Sequence, residues 1–246
     1  MALRALLWDL DGTLVESEEL HRQAFNDTFA EAGFGWHWSR EEYHRLLGVA
    51  GGQERIQAYL EWRKERDVHV AVADLHRLKT QRFQVLLADA GARPRPGVIR
   101  LLREAQDHGL RQAIVTTTSR SNVQTLLDTM FKGVLRRWDA VLAGDSVQKK
   151  KPAPDIYRLA LEGLGLPASA CLALEDSAIG VSAARAAGVP VLVTQSMYTE
   201  TDDFSGALTV LDHLGERDQP MRIISGPAPH EACMTVAGLR RLHARA

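Results

Sequence analysis

The sequence predicts an α/β protein in which a doubly wound parallel sheet carries a small helical domain inserted after the first strand. Three observations lead there. Short apolar runs alternate with segments of helical spacing, the first run closes on acidic residues and a glycine, and one long stretch early in the chain keeps helical spacing throughout.

Leu3 to Leu10 is the first run, and its ending at Asp9, Asp11 and Gly12 suits a buried strand that delivers its C-terminal end to a polar site. Later runs of the same kind are Gln112 to Thr117, Asp139 to Gly144, Ala170 to Leu174 and Val189 to Thr194, each separated from the next by a helical segment. That alternation implies parallel pairing. From about Glu18 to Asp89 the chain is rich in Leu, Glu, Arg, Gln and Ala. Gly33, Gly48 with Gly51 and Gly52, and the segment near Asp67 divide this stretch into four helices. Arg93 to Gly97 is a stiff return, because its prolines restrict the backbone and stop a helix. Residues 1–15 and 93–246 are thus expected to form the sheet domain, with 16–92 as the helical insert. In the tail, Gly206 to Leu211 is expected as a last edge strand. Glu231 to Ala244 is expected as a terminal helix beyond a loop at Gly226 to Pro229.

A chain of 246 residues with 45% hydrophobic content can bury one large core with a smaller satellite. Its 30 basic and 31 acidic residues leave a net charge of -1, which gives no general electrostatic case for nucleic acid or an anionic membrane, so an anionic ligand must be held locally. Cys171 and Cys233 are too few for a disulfide framework and too far apart for a zinc pattern. The apolar N-terminal stretch is interrupted by Asp9 and Asp11, and no segment approaches the roughly 20 apolar residues of a membrane span. A cytoplasmic monomer is the expectation.

Asp9 and Asp11 alternate along a strand, so they converge only if the chain turns where Gly12 permits it. Two neighbouring carboxylates repel, and a divalent cation is a natural way to hold them. Mg2+ accepts such oxygens, and Glu175 with Asp176 forms a second acidic pair at the end of another run. Thr116, Thr117, Thr118 and Ser119 follow a strand and precede a helix, which suits either phosphate binding or ordinary N-capping. In KKKPAPDIY the prolines single out Lys151, whose ammonium can neutralise phosphoryl charge. The other lysines read as a solvated face.

Taken together, these motifs resemble the haloacid dehalogenase (HAD) superfamily of phosphohydrolases, whose core is Rossmann-like. DLDGTL at Asp9 to Leu14 matches the first motif, Thr117 the second, Lys151 in KPAPD the third, and Glu175 with Asp176 in LEDS the fourth, all in family order. The helical insert is similar in position to that family's small cap. Within the superfamily the chain looks most like the CbbY branch, which dephosphorylates xylulose 1,5-bisphosphate. Glu16 to Phe29, Gly51 to Ile56, Ala73 to Phe83 and Thr116 to Val123 carry this finer likeness.

The resemblance implies Asp9 as nucleophile, Asp11 as acid and base, and Thr117 and Lys151 as holders of the phosphoryl oxygens. It also implies Mg2+ on Asp9, Asp11 through its backbone carbonyl, and Asp176, and Glu175 is expected among the metal-holding residues with them. The implied substrate contacts are Glu18, His21, Gly51, Gly52, Arg55, His76, Arg77, Lys79, Ser119 and Asn122, to which the strand-to-helix position adds Thr116 and Thr118 as candidates. Ala50 and Gln53 stand where CbbY-type chains tend to carry a threonine and a lysine. The expected partner is therefore a small phosphorylated sugar, with neither nucleic acid nor membrane. A sugar phosphomutase of the beta-phosphoglucomutase kind and a phosphatase for phosphoglycolate or another small ester remain the alternatives.

Overall fold

Ala5–Trp8, four apolar residues buried on both sides, form β1 at the middle of a sheet. The computed structural model describes residues 1–64, 71–89, 92–227 and 231–246. After β1 come the helices α1 (Glu18–Glu31), α2 (Arg40–Leu47), α3 (Gly52–Arg63) and α4 (Val72–Asp89). The chain then alternates through α5 (Val98–Asp107), β2 (Arg111–Val115), α6 (Arg120–Met130), β3 (Ala140–Leu142), α7 (Asp155–Leu164), β4 (Cys171–Glu175), α8 (Ala178–Ala186) and β5 (Val191–Thr194). It closes with β6 (Thr209–Leu211), β7 (Ile223–Ser225) and α9 (Val236–His243).

The strand order is β3-β2-β1-β4-β5-β6-β7, parallel except for the β6–β7 pair. After β1 the chain builds outward to β2 and β3, then crosses to the other side of β1 to lay down β4. A crevice opens outside the carboxyl ends of the strands where the order reverses, here between β1 and β4.

Alternation along each strand sorts side chains onto two faces. Leu6, Trp8, Ile114, Leu172, Leu174 and Leu192 pack on α5, α6 and α9, while Leu7, Ala113, Val115, Ala173, Val191 and Val193 pack on α7 and α8. A third cluster, rich in aromatics, gathers Phe25, Phe29, Trp36, Trp38, Tyr43, Ile56 and Tyr59 among α1, α2 and α3. A capping box starts α2, in which the Ser39 hydroxyl accepts from the Glu42 amide and the Glu42 carboxylate accepts from the Ser39 amide.

The structure corrects the expected tail. Thr209–Leu211 lies inside the sheet, and the edge is β7, which runs antiparallel to it. Three exposed residues give β7 no apolar alternation by which to recognise it. The terminal helix begins at Val236, capped by the Thr235 hydroxyl, rather than at Glu231. The break expected near Asp67 and the part of the tail loop at Ala228 and Pro229 lie outside the described residues. Among the described residues, no helix is long and apolar enough to cross a membrane.

Leu172 sits fully buried in β4, between β1 and β5. Leu172→Ala is expected to lower unfolding free energy by about 2–5 kcal/mol through the cavity it leaves, read from urea denaturation.

Candidate active site

The carboxyl end of β1 is held to its neighbour by a bond from the Asp9 amide to Leu174 O, 3.0 Å. Beyond it the chain turns at Gly12, whose φ of 78° is a left-handed conformation open to glycine. The turn closes with the Gly12 amide donating to Val15 O at 2.8 Å. Space is a second reason for glycine. A Cβ there would overlap the Asp176 carboxylate, so Asp176 from the end of β4 lies directly against the β1 loop.

Asp9, Glu175 and Asp176 each offer an oxygen within 4.8 Å of the others, and all are buried. Lys151 stands among them. Its ammonium donates to Asp9 Oδ1 at 2.7 Å, Glu175 Oε1 at 2.6 Å and Val115 O at 2.9 Å. The Tyr157 hydroxyl also donates to Glu175 Oε1, while Glu175 Oε2 is buried without a partner among the described residues. Glu175 is therefore turned toward the lysine and lies beneath the cavity rather than in its wall.

Three carboxylates crowd together and one ammonium bonds only Asp9 and Glu175, and their titration registers the excess. Burial pushes Asp9 up to about 8 against the pull of Lys151, with Glu175 adding to the rise. Burial, with the charges of Asp9 and Glu175, raises Asp176 well above the carboxylate range. A compact, buried, oxygen-only acidic set with unbalanced negative charge is the donor chemistry of a hard divalent cation. The residues present fit such an ion.

Asp11 is arranged differently. Its Oδ1 accepts from the Ser17 hydroxyl at 2.5 Å and lies 3.1 Å from His21 Nε2. Burial alone would raise it, but His21, Ser17 and Thr118 together bring it down to about 2. Behind His21, the Lys79 ammonium is 2.6 Å from Nδ1 and 4.5 Å from the centre of the Phe25 ring. Burial, with the charge of Arg55, lowers Lys79 to about 7.

A cavity of about 580 Å³ opens above these groups. The residues singled out in the sequence all line it, save Glu175. Thr116 is buried at the end of β2, its Oγ1 accepting from the Thr118 amide at 3.2 Å, and Thr117 packs its backbone against Gly144. Ser119 precedes α6 but caps no amide with its hydroxyl, which lies 3.2 Å from the Ser121 hydroxyl, and both residues line the cavity. Asn122 is buried, and its Oδ1 has no partner among the described residues.

From the helical side, Glu18 accepts from the Tyr43 hydroxyl at 2.6 Å, and Gly51 and Gly52 open α3. Arg55 is committed locally, donating to Leu46 O at 3.1 Å and the Tyr43 hydroxyl at 2.9 Å. His76 packs on Gly52, and burial, with Lys79 and Lys150 nearby, lowers it to about 4. Arg77 is mostly exposed beside Asp74 at 3.6 Å.

Sequence reasoning passed over Ser17, Tyr157 and Lys150. Lys150 lines the cavity next to Gly51, with its ammonium 2.6 Å from Glu54 Oε1, across the gap between α3 and the sheet side. Its signal was present, since it precedes Lys151, but a lysine run gives no hint of which member points inward.

A family model described as haloacid dehalogenase-like hydrolase matches residues 3–188. Protein CbbY of Rhodobacter capsulatus is 50% identical over 208 residues, covering 84% of this chain and 92% of that protein. CbbY of Cupriavidus necator is 42% identical over 250 residues, covering 98% and 97%. A crystal structure of an Asp-to-Asn mutant of CbbY from Rhodobacter sphaeroides, in complex with xylulose-(1,5)bisphosphate, superposes with a TM-score of 0.81 at 45% identity, covering 86% of this chain and 94% of that one.

The contact between Gly12 and Asp176 generates a prediction. Gly12→Ala forces Asp176 away and is expected to weaken divalent-cation binding by about 10-fold or more, measured by titration calorimetry on the free protein; an unaltered isotherm would count against the acidic set as the ion's seat.

Proposed function

This chain belongs to the haloacid dehalogenase-like hydrolase family, and from that premise we propose that it hydrolyses a sugar phosphate, xylulose 1,5-bisphosphate in particular, with Mg2+ and through an aspartyl-phosphate intermediate. The observation that carries the chemistry is the convergence of Asp9, Asp11, Lys151 and Asp176 on one cavity from separate segments of the chain. The sugar bisphosphate is favoured by likeness to CbbY, which has been crystallised with that compound. The phosphatase activity belongs to the family.

Asp9 and Asp176, with the backbone carbonyl of Asp11, would hold the ion. When bound, Mg2+ supplies positive charge that lets an anionic nucleophile approach an anionic phosphate. The Asp9 carboxylate attacks phosphorus as the P–O ester bond breaks, leaving an aspartyl phosphate and an alcohol. Lys151 neutralises charge on the equatorial oxygens, and Glu175 and Tyr157 hold that lysine in place. Thr117, with Thr116 beside it at the end of β2, offers hydroxyls to the same oxygens.

Asp11 serves both halves of the reaction. It protonates the departing alkoxide and then takes a proton from the water that cleaves the intermediate. In the present arrangement it is held as the anion by His21 and Ser17, the form needed for the second half. The first half requires a proton on Asp11 as substrate displaces those contacts.

Residues 16–92 would act as a cap that closes over substrate and excludes stray water until the alcohol has left. Asn122, with its unpartnered oxygen, suits a sugar hydroxyl. Lys150 places a cation beside the glycine pair where Gln53 supplies none.

Phosphate release should be measured across sugar mono- and bisphosphates. Asp9→Asn is expected to cut turnover by about 10⁴-fold or more while keeping the far-ultraviolet circular dichroism of the parent; full activity in that variant would refute the nucleophile. Chelation with EDTA is expected to abolish phosphate release and added Mg2+ to restore it, in a colorimetric phosphate assay. Isomerised sugar phosphate without free phosphate would instead identify a mutase.

A further inference from the structure

Tyr198 belongs to the loop between β5 and β6, on the sheet side of the molecule, yet its ring is buried to 5% exposure in the aromatic cluster of the helical insert. It meets the Tyr43 ring edge-on at 5.5 Å. Its hydroxyl donates to the Glu19 carboxylate on α1, and its carbonyl oxygen lies 2.5 Å from His44 Nδ1 on α2. Glu19 is itself braced by Arg22 at 2.7 Å.

The same loop supports Asp176 from the other side. Asp202 accepts from the Ala178 amide at 2.8 Å, two residues beyond Asp176. Gln195 O accepts from Arg95 at 2.6 Å, and the same guanidinium donates to Gly12 O, on the residue against which the Asp176 carboxylate rests. Between these ends the loop is stiffened, with the Ser196 amide donating to Thr199 Oγ1 at 3.0 Å and the Thr199 amide to Ser196 O at 3.1 Å.

We infer that this loop couples the docking of the helical insert to the setting of Asp176, and that Tyr198 is a positioning residue of the site although it touches none of its carboxylates. The inference rests on the phosphatase reading above. Its physical content is mechanical. A ring locked among α1 and α2 cannot move with those helices unless the loop moves, and the loop is bonded to the supports of Asp176 at both ends. Groups that orient a metal-binding carboxylate change ion affinity without contacting the ion.

The test compares the full chain with Tyr198→Ala, Tyr198→Phe and His44→Ala. Mg2+ binding to the free protein is measured by calorimetry, kcat and KM by phosphate release, and Tm alongside. Tyr198→Ala is expected to weaken Mg2+ binding by about 10-fold, the size seen when a supporting partner of a ligand is lost, and to raise KM. Tyr198→Phe keeps the ring and should recover most of both, and His44→Ala should shift both in the same direction by less. Tyr198→Ala with a lower Tm but unchanged Mg2+ affinity, kcat and KM would make Tyr198 a packing residue only and overturn the inference. Should that variant fail to fold, wild-type Mg2+ affinity and KM in His44→Ala would overturn it. A parent protein that neither binds Mg2+ nor releases phosphate would instead remove the phosphatase reading, and the coupling with it.

Discussion

Three buried carboxylates, Asp9, Glu175 and Asp176, crowd together at the end of the sheet, and the ammonium of Lys151 bonds two of them, Asp9 and Glu175. Burying charge is costly unless it is paired and hydrogen-bonded, and a cluster with more acids than bases stays unbalanced even when geometry is good. Much of the surrounding architecture meets that constraint. Lys151 is threaded in from the segment before α7, Tyr157 of that helix supports Glu175, and a glycine at position 12 leaves room for Asp176. The rise of Asp9 and Asp176 above the carboxylate range is the residue of imbalance that a divalent cation removes.

Asp11 stands apart from this cluster because the helical insert claims it. His21 of α1 and Lys79 of α4 form a short chain of contacts ending on its carboxylate, stacked on Phe83 and lying over Phe25. On the proposed mechanism, the proton-transferring group would thereby be tied to the helical insert, while the groups that would meet phosphate charge are tied to the sheet. Gly51 and Lys150 meet across the same opening.

The loop after β5 joins the two sides a second time. Nothing in the local sequence around Tyr198 marks this loop as a contact with the helical insert. Its burial in the aromatic cluster depends on helices more than 150 residues earlier in the chain, as the contact between His44 and Tyr198 O shows with a separation of 154. Arg95 was legible only as part of a stiff return, and its bonds to Gly12, Thr194, Gln195 and Asp212 appear once the strand ends are side by side.

What the sequence determined by itself was the alternation of apolar runs and helices, the helical character of the insert, and which polar residues end the strands. These are local properties, since burial on both faces writes itself as continuous apolar runs and a strand end as an acidic or hydroxylated turn. The parallel order with its reversal beside β1, the inner place of Thr209–Leu211, and the antiparallel edge Ile223–Ser225 were decided by tertiary structure. So were the commitment of Glu175 to Lys151 and Tyr157, the confinement of Arg55 by Tyr43 and Leu46, and the inward turn of Lys150. Each of these depends on which side chains arrive in the same few ångströms from distant parts of the chain. Spacing along one segment carries no record of such meetings.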